Sequence, residues 1–337
     1  MRYLNTLYVS GHDATVGHRK GSIVVTRTGR SNRVPLEAID SVVLLGNSQV
    51  TTSAIDACVR HEVRVCALRR NGAVRFVVGG PRGGNVHLRT AQHRVADGAG
   101  SVDYARSFLA AKLQNSRRML LRWSRDAPVA TRANLALRAE AIGNRLVRLA
   151  NANDPGTLLG IEGDAARIYF AGMGQVLDGS GFSFELRSRR PPRDPVNAML
   201  GFGYGLLVTE MVGAAESVGL DHQIGFLHRA RSGRPSLALD MAEELRPLVD
   251  RFVVRVLRRR QIGTDSFRRM PGGGTYLSDF GRAAFLELWE VDKNREVPHT
   301  VLDRAVERWA LPSIQATLLA RSLRGDLRAY PGYVMQR

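Results

Sequence analysis

Val74-Arg75-Phe76-Val77-Val78-Gly79-Gly80-Pro81-Arg82-Gly83-Gly84 is where the chain changes character. Its first five residues are rich in β-branched side chains, and the Gly/Pro cluster behind them ends the strand or turns it. The cluster lacks the Gly-Lys-Ser/Thr ending and the strand-to-helix setting of a phosphate loop, so it reads as a linker. Upstream, Leu7-Tyr8-Val9, Ser22-Ile23-Val24-Val25-Thr26, Val42-Val43-Leu44-Leu45 and Val63-Arg64-Val65-Cys66-Ala67-Leu68 have the same strand composition. Turn signals separate them at Gly11-His12-Asp13, Arg27-Thr28-Gly29-Arg30, Gly46-Asn47-Ser48 and Asn71-Gly72. The exception is Thr52 to His61, where Ile55, Cys58 and Val59 follow a Thr/Ser start at helical spacing and predict a short helix.

Downstream of Asp97-Gly98-Ala99-Gly100 the apolar period becomes 3.6. Phe108, Ala111, Leu113, Leu120 and Leu121 belong to one helix, and Leu135, Leu137, Ile142, Leu146 and Leu149 to the next. Helical patterns with short Gly/Pro breaks continue to about residue 325, with no internal repeat and no low-complexity tail. The expected organisation is α+β: a β-rich domain over residues 1–84, a linker over 85–100 and an all-α domain over 101–337. A length of 337 residues suits two domains, since one core stops growing at roughly 250 to 300 residues.

Composition narrows the function classes. A hydrophobic fraction of 44% is that of a folded chain. No run of about 18 uninterrupted apolar residues offers a membrane span, and Met1-Arg2-Tyr3-Leu4-Asn5 leads straight into a strand pattern rather than a signal peptide. A cytoplasmic protein is the expectation. Cys58 and Cys66 match neither a disulfide framework nor a zinc knuckle and read as small buried hydrophobes. The net charge is +18, and all the basic residues but Lys20, Lys112 and Lys293 are arginine. Codon bias explains Arg over Lys but conserves sign, so the excess itself points to a polyanion partner, and in the cytoplasm that is nucleic acid.

Four segments of the helical part carry groups able to do chemistry. In Leu158 to Phe170, Glu162 stands among Gly163, Ala165 and Ala166, small residues that let a ligand or backbone approach; it also reads as a first-turn carboxylate on a helix dipole. Arg187-Ser188-Arg189-Arg190-Pro191-Pro192-Arg193 is an exposed loop stiffened by proline. Its arginines suit phosphate, and a helix capped by Asp194 with Pro195 in its first turn follows, carrying Asn197 and Tyr204. Gly225-Phe226-Leu227-His228 precedes a basic turn with Arg229, Arg231 and Arg234. Asp240, Glu243 and Glu244 then fall at i, i+3, i+4 on one helix, a self-repelling set that asks for Arg246, Arg251 or a metal ion. Carboxylates with one imidazole suit Mg²⁺ or Mn²⁺, and such an ion in a basic protein suits phosphodiester chemistry.

In this order the motifs are specific. Glu162-Gly163 with Ala165-Ala166-Arg167, the Arg189-Arg190-Pro191-Pro192 loop leading to Asn197-Ala198, Gly225-Phe226-Leu227-His228, and Ser236-Leu237-Ala238-Leu239-Asp240 with Glu243-Glu244-Leu245-Arg246 resemble the CRISPR-associated spacer-acquisition endonuclease and integrase family, "Cas one". The opening Leu4-Asn5-Thr6-Leu7-Tyr8-Val9 resembles the branch accompanying type I-C systems. The resemblance implies an N-terminal β-sandwich that forms much of a homodimer interface and a helical domain with one divalent-metal site. It also implies a small partner, "Cas two", assembled with the integrase as a heterohexamer on double-stranded DNA. By motif position Glu162, His228 and Glu243 are the implied metal ligands, with Asp240 as a further catalytic carboxylate. Asn197, Tyr204 and Arg246 line the site, and Arg187, Arg189, Arg190, Arg193, Arg229, Arg231 and Arg234 are expected on DNA. His222, where the family has proline, and Gly201, where it has serine, depart from the pattern without removing a ligand. The implied reaction is attack of a DNA 3′-hydroxyl on a phosphodiester. It requires Glu162, His228 and Glu243 within about 5 Å of a common point. A stand-alone metal nuclease, or a DNA-binding protein without catalysis, shares the charge but differs in the partner or in the ligand set.

Overall fold

The computed structural model describes residues 6–10, 13–45, 47–69, 74–78 and 85–336. The Gly79–Gly84 cluster, the Asn71-Gly72 turn and parts of the Gly11 and Gly46 turns lie outside them. The first part of the chain contributes β1 (Thr6–Ser10), β2 (Thr15–Arg19), β3 (Ser22–Arg27), β4 (Arg30–Pro35), β5 (Ser41–Leu45), β6 (Gln49–Val50), α1 (Thr52–Arg60), β7 (Arg64–Leu68) and β8 (Val74–Val78). These form two four-stranded sheets, ordered β1-β5-β7-β8 and β4-β3-β2-β6. In the first, β1, β5 and β7 run parallel and β8 antiparallel.

The uninterrupted apolar run Val42 to Leu45 has a physical reason. Val42 and Leu44 face a core shared with Val16 and Ile23 of the second sheet and Ala54, Ala57 and Cys58 of α1. Val43 and Leu45 face the opposite way, into the core that holds the helices. A strand covered on both faces loses its polar alternation, as parallel sheets do. The same alternation divides β7, with Val65 and Ala67 on one side and Cys66 and Leu68 on the other. Both cysteines are free and buried, and burial pushes their thiols up to about 11 and about 12.

The sequence reading missed β2, β4 and β6. β4, Arg-Ser-Asn-Arg-Val-Pro, is an edge strand with mostly exposed residues, and polar edges carry no hydrophobic alternation. The helix at 52–60 is present, capped by the Thr51 hydroxyl on the Ala54 N–H.

The expected linker over 85–100 is not one. It carries α2 (Val86–Asp97), capped by Asn85 and anchored by buried Leu88 and Gln92. The Gln92 amide donates to the carbonyls of Asp221 and Ile224, each at 2.7 Å, and its oxygen accepts the Asp221 N–H at 2.9 Å. A helix with only two buried positions shows almost no apolar period, which is why composition read it as linker.

Then follow α3 (Ser101–Arg125), α4 (Val129–Ala150), α5 (Pro155–Leu177), α6 (Pro195–Ser217), α7 (Ser236–Arg258), β9 (Phe267–Arg269), β10 (Thr275–Leu277), α8 (Asp279–Lys293), β11 (Glu296–His299), β12 (Arg304–Glu307) and α9 (Leu311–Leu323). The all-α expectation is corrected by the hairpins β9–β10 and β11–β12. In the first, Gly273 supplies the positive φ of +76° that lets the turn close. The architecture is mixed α/β. α6 is long and apolar enough to cross a membrane by length and composition, but 78% of its most apolar window is buried among the other elements. α7 packs on α3, α5 and α6, and α3 on α5, which brings distant residues to one place.

Candidate active site

α5 brings Glu162, α7 brings Asp240 and Glu243, and the loop between α6 and α7 brings His228. α5 starts from Asp154, whose carboxylate caps the Thr157 N–H at 2.8 Å, with Pro155 in the first turn. Glu162 is therefore two turns into the helix, and the reading as a first-turn dipole carboxylate is set aside. Its partner is Lys112 of α3, a residue the sequence reading did not single out. The Lys112 ammonium donates to Glu162 Oε1 and, at 2.6 Å, to Glu243 Oε2. Arg246 completes the set, its guanidinium 3.0 Å from Glu243 Oε1. Burial alone would push Glu243 up, but Arg246 and Lys112, aided by the Lys112 hydrogen bond, hold it well below the usual carboxylate range. Burial works against the Arg246 charge too, and Glu243, Tyr204 and Glu162 more than restore it.

Asp240 takes a different role from the one expected. Its Oδ2 accepts the N–H groups of Phe226 (2.6 Å) and Leu227 (2.9 Å), and its Oδ1 accepts that of His228 (3.0 Å). The same Oδ1 lies 2.6 Å from His228 Nδ1. Asp240, fully buried, thus folds the Phe226–His228 segment around itself and fixes the imidazole through one nitrogen, leaving Nε2 as the one that can meet a ligand. Gly225 is required there, because a Cβ would sit 2.6 Å from Asp240 Oδ2.

Asp240, Glu243 and Glu244 of α7 escape mutual repulsion by facing three ways. Glu244 points away from Glu243 and accepts the Tyr330 hydroxyl (2.6 Å), the Gln315 amide (3.0 Å) and the Tyr333 N–H (2.7 Å). Burial nevertheless pushes its carboxyl up to about 7. The start of α7 has no side-chain cap; the His222 carbonyl takes the Leu237 N–H at 2.9 Å instead. His222 itself pairs with Glu216 at 3.2 Å and is no part of the ligand set.

Asn197 lines the cleft as expected, but it is fully buried there and acts as an anchor. Its oxygen accepts Ser188 N–H (2.9 Å) and Arg187 Nη1 (2.6 Å), and its amide donates to the Leu186 carbonyl (2.9 Å) and to Asp194. These bonds tie the arginine loop to the start of α6. Thr275 of β10 braces the same loop, its N–H 2.7 Å from the Pro192 carbonyl. Arg187 is drawn inward by Asn197, and its guanidinium and that of Arg246 lie 5.4 and 5.1 Å from the Tyr204 ring centre. Tyr204 donates at 2.5 Å to Asp250, a buried carboxyl one turn of α7 beyond Arg246 that the sequence reading also passed over. Burial pushes Asp250 up to about 6.

Outside this cluster opens a cleft of about 980 Å³, with His228, Tyr204 and Arg246 on its wall. Of the expected DNA-contacting arginines, Arg187, Arg189, Arg190, Arg231 and Arg234 line it; Arg193 and Arg229 are exposed beyond its lining. Arg69 and Arg75 from the β-rich part join them.

As they lie, no three His, Cys, Asp or Glu side chains among the described residues stand together as a metal-ligand group. Glu162 and Glu243 meet on an ammonium, and His228 is turned through Nδ1 toward Asp240. In this structure the two carboxylates form a pair on a cation, with the imidazole close enough to influence Glu243. In kind the donors fit a hard divalent ion: two carboxylates already share one positive charge, and an anchored imidazole adjoins them.

The family model for CRISPR associated protein Cas1 matches residues 7–291. The chain belongs to the Cas1 family. It is 41% identical to CRISPR-associated endonuclease Cas1 2 of Rhodospirillum rubrum, over 98% of both chains. It is 38% identical to CRISPR-associated endonuclease Cas1 1 of Moorella thermoacetica, over 97% of both. Among solved structures, a casposase bound to its integration product superposes with a TM-score of 0.84 over 99% of this chain and 96% of that one, at 23% identity. A Cas1 protein from Thermotoga maritima superposes at 0.81 over 99% of both chains, at 22% identity. The fold is therefore the Cas1 fold.

Proposed function

We propose that this Cas1-family chain is a divalent-metal-dependent DNA integrase and endonuclease, of the type I-C branch, that inserts captured DNA fragments into a CRISPR array. The observation that carries this reading is the meeting of Glu162 and Glu243, from different helices, on one cation beside an imidazole held by Asp240, at an arginine-lined cleft. Glu162, Glu243 and His228 Nε2 would hold Mg²⁺ or Mn²⁺, which supplies charge stabilisation and a lowered pKa for the attacking hydroxyl. The chain's own residues do the rest. Asp240 fixes the ring and tautomer of His228; Arg246 holds Glu243 ionised; Asn197 sets the arginine loop that grips the phosphates flanking the reacting one. The attacking group is the DNA's own 3′-hydroxyl, so no covalent enzyme intermediate is needed, and water in its place gives cleavage.

The β-rich residues 1–84 serve as a sandwich-like dimerisation domain, and the helical residues 101–337 carry the chemistry. A chain of a Cas6-RT-Cas1–Cas2 complex, superposing on 99% of this one over 36% of its own length with a TM-score of 0.81, supports Cas2 as a partner; the assembly proposed is a homodimer joined with Cas2 in a heterohexamer on duplex DNA. Glu162→Gln and His228→Ala are expected to lose strand transfer of a 3′-hydroxyl fragment, with duplex affinity by fluorescence anisotropy unchanged. Strand transfer that survives either change sinks the site. Integration without Cas2 at the same rate favours a stand-alone nuclease.

A further inference from the structure

Lys112 is the group the proposed reaction does not use. It sits on α3 between Leu109 and Ser116, in the stripe that packs against α5 and α7, with 11% of its side chain exposed. Among the described residues its ammonium is the single charge that both Glu162 and Glu243 touch. We propose that Lys112 is a built-in stand-in for the divalent ion: it holds the two carboxylates together in the metal-free protein and is displaced when the ion binds. This rests on the metal site of the proposed function and adds a residue that competes for it.

Charge accounting leads there. Glu162 and Glu243 are balanced by Lys112 and Arg246, so the cluster is neutral before any ion arrives. A divalent cation added with Lys112 in place gives these four groups an excess of two positive charges, with only the neighbouring Asp240 and Asp250 to offset it, where Glu243 keeps 5% and Arg246 12% of its side chain exposed, an arrangement a low-dielectric site disfavours. An ammonium shared by two carboxylates occupies the place a metal shared by them needs. It also has somewhere to go. A small cavity of about 20 Å³ adjoins it, lined by Lys112, Glu162, Tyr169, Tyr204, Arg246 and Asp250. Asp250, on that cavity, already feels the Lys112 charge and can receive the displaced ammonium. Arg246 cannot take the same part, because it reaches only Glu243 and is packed against Tyr204.

The test uses the full-length protein without DNA, so that no phosphate compensates the charge, and reads metal binding rather than catalysis. Mn²⁺ affinity is measured by calorimetry for wild type, Lys112→Met and Glu162→Gln. Lys112→Met is expected to bind Mn²⁺ at least about tenfold more tightly than wild type, to melt at a lower temperature without metal, and to gain more in Tm from Mn²⁺. Because Lys112→Met leaves Glu162 without its cation and Glu243 with Arg246 alone, and can fail to fold, the wild-type protein provides the second measurement. With only Lys20, Lys112 and Lys293 in the chain, [¹³C]lysine labelling yields three side-chain signals. Mg²⁺ is expected to move the Lys112 signal and leave the other two, since Lys20 is exposed on a β turn and Lys293 pairs with Glu290. Metal binding that depends on Glu162 but leaves the Lys112 signal still, or is no tighter in Lys112→Met, overturns this inference alone. No Mn²⁺ binding to wild type or Lys112→Met overturns the metal site of the proposed function and this inference with it.

Discussion

Two buried aspartates of α7 show how neighbours set what a carboxylate does. Asp240 accepts three backbone N–H groups and faces an imidazole nitrogen, so every acceptor site is in use and its work is to shape the His228 loop. Asp250 receives the Tyr204 hydroxyl in a fully buried setting, and burial raises its carboxyl from an ordinary 3.8 to about 6. A carboxyl raised on folding stabilises the fold fully below its unfolded value, and that contribution is lost as pH rises through the folded one. The window therefore runs from about pH 4 to pH 6. Asp250→Asn removes the titration and keeps an acceptor for Tyr204. Relative to wild type, the Asn variant is expected to gain about 2 kcal/mol between pH 4.5 and pH 7, read from urea unfolding at both values. A difference that does not change with pH means that Asp250 keeps its charge in the folded protein.

Helices α5 and α6 differ in what their glycines face, and this decides which positions tolerate a methyl group. A Cβ on Gly163, beside Glu162, would meet nothing within 4 Å, whereas one on Gly203 would come within 2.7 Å of Val249 and 3.3 Å of Phe285. Gly163→Ala is expected to stabilise the fold by up to about 1 kcal/mol through helix propensity, and Gly203→Ala to cost about 1 to 3 kcal/mol through overpacking. Chemical denaturation of the pair checks both signs. If DNA uses the open side of α5, Gly163→Ala also weakens duplex binding without harming the fold. At this scale the sequence was informative wherever a local signal was strong: the helical period of α3 and α4, the Asp194-Pro195 start of α6 and the apolar β-branched runs of β5 and β7 are all legible in it. It was silent where burial is partial or polar. α2 buries only Leu88 and Gln92, and β4 lies at an exposed edge. The candidate site divides in the same way. Glu162, Glu243 and His228 were legible by motif, because their spacing within each segment is local. Lys112 and Asp250 were not, since each gains its meaning from a helix more than 30 residues away. One signal for Lys112 was available: a lysine, rare in this arginine-rich chain, within the apolar stripe of Phe108, Leu109 and Leu113.

At the scale of the whole molecule the net charge is +18, and part of the arginine excess lines the cleft where the chemistry is expected. Arg189, Arg190, Arg231 and Arg234 line the cleft around His228, with Arg69 reaching in from the β-rich part. Arg187 and Arg246 line it as well, but both are already engaged, Arg187 by Asn197 and Arg246 by Glu243. The surface arginines are thus the ones available to phosphates, and the inner pair belongs to the site's architecture. Guanidinium groups on a loop anchored by Asn197 can track a backbone but present no paired helix or ribbon to read base edges, so binding should be steeply salt-dependent and nearly indifferent to sequence. If about six phosphates are neutralised, affinity for a duplex is expected to fall by about 10³ between 50 and 200 mM salt. Arg190→Ala and Arg234→Ala are each expected to reduce the slope of log K against log salt by about 1, by an equal amount on unrelated duplexes. Arg187→Ala should behave differently, loosening the loop and Tyr204 and lowering stability while changing the slope little. Fluorescence anisotropy titrations over a salt series distinguish the two classes. Equal slopes for Arg190→Ala and wild type would place the duplex elsewhere on the protein, and a change in slope for Arg187→Ala as large as that for Arg190→Ala would make the inner arginine a phosphate contact after all.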